Sequence, residues 1–203
     1  MQLLLIRHGL PLTTEGHANP ELDDAGHAQA RALAEWLSDE PLEAIYASPM
    51  HRARQTAEPV AERLGLDLRI EDDVAEADKD GTFYVPLEQL KAAGDERWRD
   101  AVATKDWNPE FEPLDSFHAR IMRGIEGVID RHGGQTVAVV CHGGVIARYT
   151  ATILGLPWER TGFFMPLYTS ITRVAANSAG LRSILTANET PHLKGTGLPT
   201  GAV

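Results

Sequence analysis

Three short stretches hold side chains suited to work on an anion: Arg7-His8-Gly9, Ser48-Pro49-Met50-His51-Arg52 and His142-Gly143-Gly144. Each follows a run that reads as a strand, respectively Leu3 to Ile6, Ala44 to Ala47 and Val137 to Cys141. In open α/β sheets, ligands bind beyond the carboxyl ends of strands, so residues leaving these strands are placed to do chemistry. Any one of them alone is an ordinary polar loop residue. Together, two arginines and two histidines at one sheet edge repel each other and need an anion to settle them. A phosphoryl group fits best, since it carries roughly -1.5 to -2 charge near neutral pH and offers three acceptor oxygens to guanidinium forks.

The elements that must carry these turns are legible as periodic segments. The apolar runs ending at Ile6 and Cys141 each lead into a Gly turn and read as buried parallel strands. Between Leu22 and Leu37, Ala25, Ala28, Ala32, Trp36 and Leu37 recur at helical spacing. Pro49 opens a second helix running to about Leu64 before Gly65, followed by a short strand at Leu68 to Ile70. Phe117, Ile121, Ile125, Val128, Ile129 and His132 mark a long amphipathic helix stopped by Gly133 and Gly134. Ser170 to Ala175 and Leu181 to Ala187 alternate around Gly180 as late strands. Strands alternating with helices predict an α/β fold, a three-layer α/β/α sandwich with a mostly parallel central sheet. The acidic, then aromatic and Pro-containing stretch at about 71–113 lacks a clean period and is expected as an insertion capping the active site. Residues 1–193 are expected to form a single domain, and Lys194 to Val203 a flexible C-terminal tail.

Composition narrows the classes. A chain of 203 residues, 43% hydrophobic and 24% charged, can bury a core without metal or disulfide, and a single cysteine forbids an intrachain disulfide. With 19 Lys plus Arg against 29 Asp plus Glu, the formal charge is 19 minus 29, or -10, which disfavours nucleic acid and anionic lipid as partners. The apolar run from Gln2 meets Arg7 and His8 too early for a signal peptide or membrane span, so a cytoplasmic location is expected. Neither a G-x-x-x-x-G-K-[ST] loop nor a G-x-G-x-x-G turn occurs. A cysteine-nucleophile phosphatase needs Arg six positions after Cys; Cys141 has Ala147 there and Arg148 one step late, so Cys141 reads as an inert strand residue. His17, His27, His118, His132 and His192 lack metal-ligand spacing, and no metal is expected. His51 is expected at the surface.

Arg7-His8-Gly9, Ser48-Pro-Met-His-Arg52-Ala-Arg-Gln55-Thr56-Ala57 and His142-Gly143-Gly144 resemble, in this order, the three motifs of the histidine phosphatase superfamily, also called phosphoglycerate mutase-like. Leu22 to Ala30 resembles that family's first helix and Asn188 to Leu193 its closing segment, while residues 77–112 match poorly. The resemblance implies a phosphohistidine mechanism with no cofactor. His8 would attack phosphorus, Arg7, Arg52 and His142 would hold the phosphoryl oxygens, and His142 would also stabilise the transition state. The family's proton donor, in a Leu-x-Glu stretch after the third strand, has its nearest counterpart in Val74-Ala75-Glu76, and the role passes to Glu76. Its neighbours Glu71, Asp72, Asp73, Asp78 and Asp80 are expected to form a solvated acidic loop.

Leu10-Pro11-Leu12 stands where related mutases carry a polar stretch, which favours a phosphomonoester hydrolase acting on a small phosphorylated metabolite. A phosphoglycerate mutase-type phosphotransferase is the enzymatic alternative, and a catalytically weak module that binds a phosphorylated ligand is the non-enzymatic one. A homodimer is left open. Phe83, Tyr84, Trp98 and Trp107 in the insertion could line a lid or simply pack it down.

Overall fold

The computed structural model describes residues 1–104, 112–157 and 164–201. Its strands are β1 (Gln2–Arg7), β2 (Thr14–Glu15), β3 (Ala44–Ala47), β4 (Leu68–Ile70), β5 (Phe83–Tyr84), β6 (Thr136–Cys141), β7 (Ile171–Ala176) and β8 (Arg182–Glu189). Its helices are α1 (Asp24–Trp36), α2 (His51–Leu64), α3 (Leu87–Ala92), α4 (Glu96–Thr104), α5 (Leu114–Arg131) and α6 (Gly143–Ile153). The main sheet has the order β4-β3-β6-β1-β7-β8. Its first four strands run parallel, β7 runs antiparallel to β1, and β8 antiparallel to β7.

Alternation along β1 builds the layers. Leu4 and Ile6 point to one face, packing with Leu33, Ala57 and Val60 of α1 and α2. Leu3 and Leu5 point to the other, packing with Phe117, Ile121, Ile125 and Val145 of α5 and α6. Each fully buried aliphatic side chain contributes about 1.5–3 kcal/mol, which makes a one-residue register slip in β1 prohibitive. The register is therefore firm, and it is the register that places the site. Among the described residues, no helix is long and apolar enough to cross a membrane.

Three local features differ from the sequence expectation. Helix α2 begins at His51 with Met50 as N-cap, so Pro49 lies two residues before the first helical position; Gly65 ends it in a left-handed conformation. The stretch after Glu71 contains β5, paired with β2, and the helices α3 and α4, which are short and mostly exposed and so leave little periodic trace. Pro199 and Thr200, in the stretch from Lys194 expected as a flexible tail, are tied to the body: the Pro199 carbonyl accepts from Gln29 Nε2 and the Thr200 carbonyl from Tyr168 N–H. These bonds come from partners far away in the chain, which composition does not reveal.

Candidate active site

Strand register brings the three turns together. Arg7 of β1 is level with Cys141 of β6, and Ala47 of β3, on the other side of β6, is level with Val140. Arg7, Ser48 and His142 therefore leave the sheet at one carboxyl edge, where the chain has switched from one side of β6 to the other. His8 N–H donates to the Cys141 carbonyl (3.0 Å) and Ser48 N–H to the Val140 carbonyl (2.9 Å), locking the turns to each other. Gly9 is required by a close approach: a Cβ there would lie 2.8 Å from the Gly26 carbonyl oxygen. Its N–H donates to Thr56 Oγ1 (2.9 Å), and that hydroxyl donates to the Arg52 carbonyl (2.7 Å).

His8 is 2% exposed. Its Nδ1 lies 2.7 Å from the Gly9 carbonyl, which can only accept, so the proton sits on Nδ1 and the lone pair on Nε2. Burial, then the charges of Arg52 and Arg7, hold its pKa well below the usual histidine value, and the ring stays neutral. The His142 ring lies 5.1 Å from it, centroid to centroid. Ser48 Oγ accepts from Met50 N–H (3.3 Å) and lies 2.8 Å from His142 Nε2. If the hydroxyl gives its own proton to Nε2, His142 carries N–H at Nδ1, a buried atom with no hydrogen-bond partner among the described residues. Burial first, then Arg52, His8 and Arg7, depress the His142 pKa as well.

Each arginine is held by an aromatic ring and a carbonyl. Arg7 lies over Tyr168 (4.1 Å to the ring centroid), and its Nη1 donates to the Pro166 carbonyl (2.8 Å). Arg52 is wholly buried; Tyr84 stacks on it at 4.6 Å, and its Nη1 donates to the Ala18 carbonyl (2.9 Å). The Nε atoms of both arginines are buried without a hydrogen-bond partner among the described residues. Burying unpaired donors costs about 1–3 kcal/mol each, more when charged, so these two groups, joined by His142 Nδ1 when that atom carries the proton, suit a site that receives acceptor oxygens.

Glu76 follows a single 3-10 turn, Asp72–Val74, beyond β4. Its Oε1 accepts from Ala77 N–H (3.0 Å) and its Oε2 from Gly144 N–H (2.8 Å) in the first turn of α6. Burial, then the charge of Asp78, raises its pKa, with the two N–H groups and Arg52 pulling the other way. The acidic loop is only partly as expected. Asp72 and Asp80 face solvent, and Asp73 and Glu71 pair with Arg123 and Arg131. Asp78 is instead buried (6% exposed) and pairs with Arg52, because Arg52 needs a counter-charge once enclosed. His51 is exposed, and its N–H donates to Asn19 Oδ1.

Sequence reasoning passed over Tyr168, whose only signal would have been its place just before β7. Tyr168 also lies 6.1 Å from His8 and donates its hydroxyl to Glu88 of α3, tying the insertion to the site. Trp98 sits half-buried near Lys91 rather than at the site, and Trp107 lies outside the described residues. The Cys141 thiol is wholly buried, and burial pushes its pKa far up, which leaves it inert.

The doubly wound sheet thus presents, at its carboxyl edge, a buried histidine among arginines, an arrangement suited to an anion. The sequence matches the model of the histidine phosphatase superfamily (branch 1) over residues 3–190, and the chain belongs to that family. It is 34% identical over 150 residues to phosphoserine phosphatase 1 of Hydrogenobacter thermophilus, covering 70% of this chain and 71% of that protein. It is 30% identical over 155 residues to phosphoglycerate mutase-like protein 4 of Arabidopsis thaliana, covering 71% and 67%. A mutant phosphoserine phosphatase of Entamoeba histolytica, solved with phosphoserine, shares the fold with a TM-score of 0.72 at 22% identity, covering 95% of this chain and 98% of that one. Family and relatives together support a phosphatase or a mutase.

Proposed function

We propose that the protein is a phosphomonoester hydrolase that acts on a small phosphorylated metabolite through a phosphohistidine at His8 Nε2. The observation that supports this most is the Nδ1–H bond to the Gly9 carbonyl, which leaves Nε2 unprotonated beside three buried, unpartnered nitrogens. The Nε2 lone pair forms a bond to phosphorus while the ester P–O bond breaks in line. Arg7, Arg52 and the Nδ1–H of His142 hold the equatorial oxygens, each charged hydrogen bond contributing roughly 1.5–3 kcal/mol. Glu76, its pKa raised, gives its proton to the departing alkoxide. As carboxylate it then takes a proton from water, whose oxygen attacks phosphorus and releases phosphate and free His8.

The phosphatase-named relative favours hydrolysis, and the mutase-like relative keeps transfer as the second reading. The test is phosphate release across sugar phosphates, phosphoglycerates, nucleotides, phosphoserine and an aryl phosphate. Release that His8→Ala abolishes supports hydrolysis; transfer to monophosphoglycerate without release supports the mutase; tight binding without turnover of any compound contradicts both.

A further inference from the structure

Asp78 lies two residues beyond Glu76; Glu71, Asp72, Asp73 and Asp80 of the same run face solvent or surface arginines, yet the Asp78 side chain is enclosed against Arg52. Arg52 Nη2 donates to Asp78 Oδ1 (3.1 Å) and makes a longer contact with Oδ2 (3.4 Å). With the Ala18 carbonyl on Nη1 and the Tyr84 ring on one face, both ends and a face of the guanidinium are occupied. A guanidinium is a rigid planar fork, so fixing both Nη atoms also fixes where its Nε edge points. We propose that Asp78 is a positioning residue, which clamps Arg52 so that its Nε edge meets the phosphoryl group and offsets one of the two arginine charges in the pocket.

This inference rests on the phosphoryl reading of the site. Offsetting one charge matters for Glu76, which is faced by Arg52 of α2, the Cys141 thiol at the end of β6, the Gly144 N–H of α6 and Asp78 itself. Asp78 is the negative charge in that set. With it in place, the Glu76 carboxyl holds its proton to higher pH.

The experiment compares wild type, Asp78→Asn and Asp78→Ala by calorimetric binding of inorganic phosphate and by pH profiles on an alkyl phosphate. Asparagine keeps the shape and an acceptor for Nη2 but not the charge. Asp78→Asn should bind phosphate at least as tightly as wild type while its alkaline limb of kcat/KM moves down by about one pH unit. Asp78→Ala should weaken phosphate binding about tenfold or more, with KM rising in parallel. Should Asp78→Ala not fold, Asp78→Ser, too short to reach Nη2, replaces it. Wild-type affinity in Asp78→Ala or Asp78→Ser, or tenfold loss in Asp78→Asn, would overturn the clamp. Phosphate binding by a wild type that hydrolyses nothing would refute the proposed hydrolase, while the three affinities would still judge Asp78. An unmoved alkaline limb in Asp78→Asn refutes the charge role.

Discussion

Gly144→Ala separates the acid from the rest of the site. A Cβ at Gly144 would lie 2.5 Å from Glu76 Oε1, 2.9 Å from Oε2 and 3.0 Å from Cδ, so the carboxyl must swing away. The bond from Gly144 N–H to Oε2, now 2.8 Å, is then lost. A hydrogen bond to a charged group contributes about 1.5–3 kcal/mol, which at 1.36 kcal/mol per decade corresponds to a fall of about 10- to 150-fold in kcat for an alkyl phosphate. An aryl phosphate, whose leaving group needs little protonation, should slow far less in its first step. Stability should change little or fall, because the helix preference for alanine, up to about 1 kcal/mol, is offset by the lost bond to Glu76. The assay is steady-state kinetics on both ester types, with inorganic phosphate inhibition as a control for an intact pocket and a thermal melt for the fold. Alkyl turnover within twofold of wild type, or equal loss on both esters with phosphate inhibition unchanged, would refute the role given to Glu76.

Glu76→Gln should show the same contrast between alkyl and aryl esters, and equal slowing would move the proton donor elsewhere. Tyr168→Ala removes the ring under Arg7, an interaction of about 0.5–2 kcal/mol, and should raise KM about 2- to 30-fold, whereas Tyr168→Phe keeps the ring and should stay near wild type. Thr56→Val leaves the buried Gly9 N–H without its acceptor and should destabilise the fold by about 1–3 kcal/mol, read as a lower urea midpoint. Burial lowers the His192 pKa from 6.5 to about 4. The unfolded chain therefore takes up this proton first as pH falls, and the stability contribution is full above 6.5 and lost between 6.5 and about 4. Glu76 and Asp78, with raised pKa values, act in the opposite sense over part of that window, so the informative quantity is a difference: His192→Gln should lose less stability than wild type between pH 7 and 4.5.

The sheet edge was legible because a strand followed by a polar Gly turn is a local pattern. Leu3 to Ile6 before Arg7 and Val137 to Cys141 before His142 each show it within nine residues or so, and β-sheet register then does the assembly. What escaped was tertiary. Asp78 looks like any acid in a charged run, and its burial is decided by Arg52, 26 positions earlier. Tyr168 and Pro166 hold Arg7 from 159 residues or more away, with no periodicity to announce them. The helix starts two residues after Pro49 because Met50, extended, takes the N-cap position. The stretch from Lys194 has the composition of a loose tail, and only the bonds of Pro199 to Gln29 and of Thr200 to Tyr168 reveal that it is held there.

The most direct measurement is acid-free quenching of the enzyme during turnover of an aryl phosphate, followed by peptide mass spectrometry under alkaline conditions, which preserve phosphohistidine. The expected result is a phosphoryl group on the peptide containing His8, forming and decaying at rates compatible with turnover and missing from His8→Ala. Turnover with no labelled peptide at any time, or a label on another residue, would contradict the central claim.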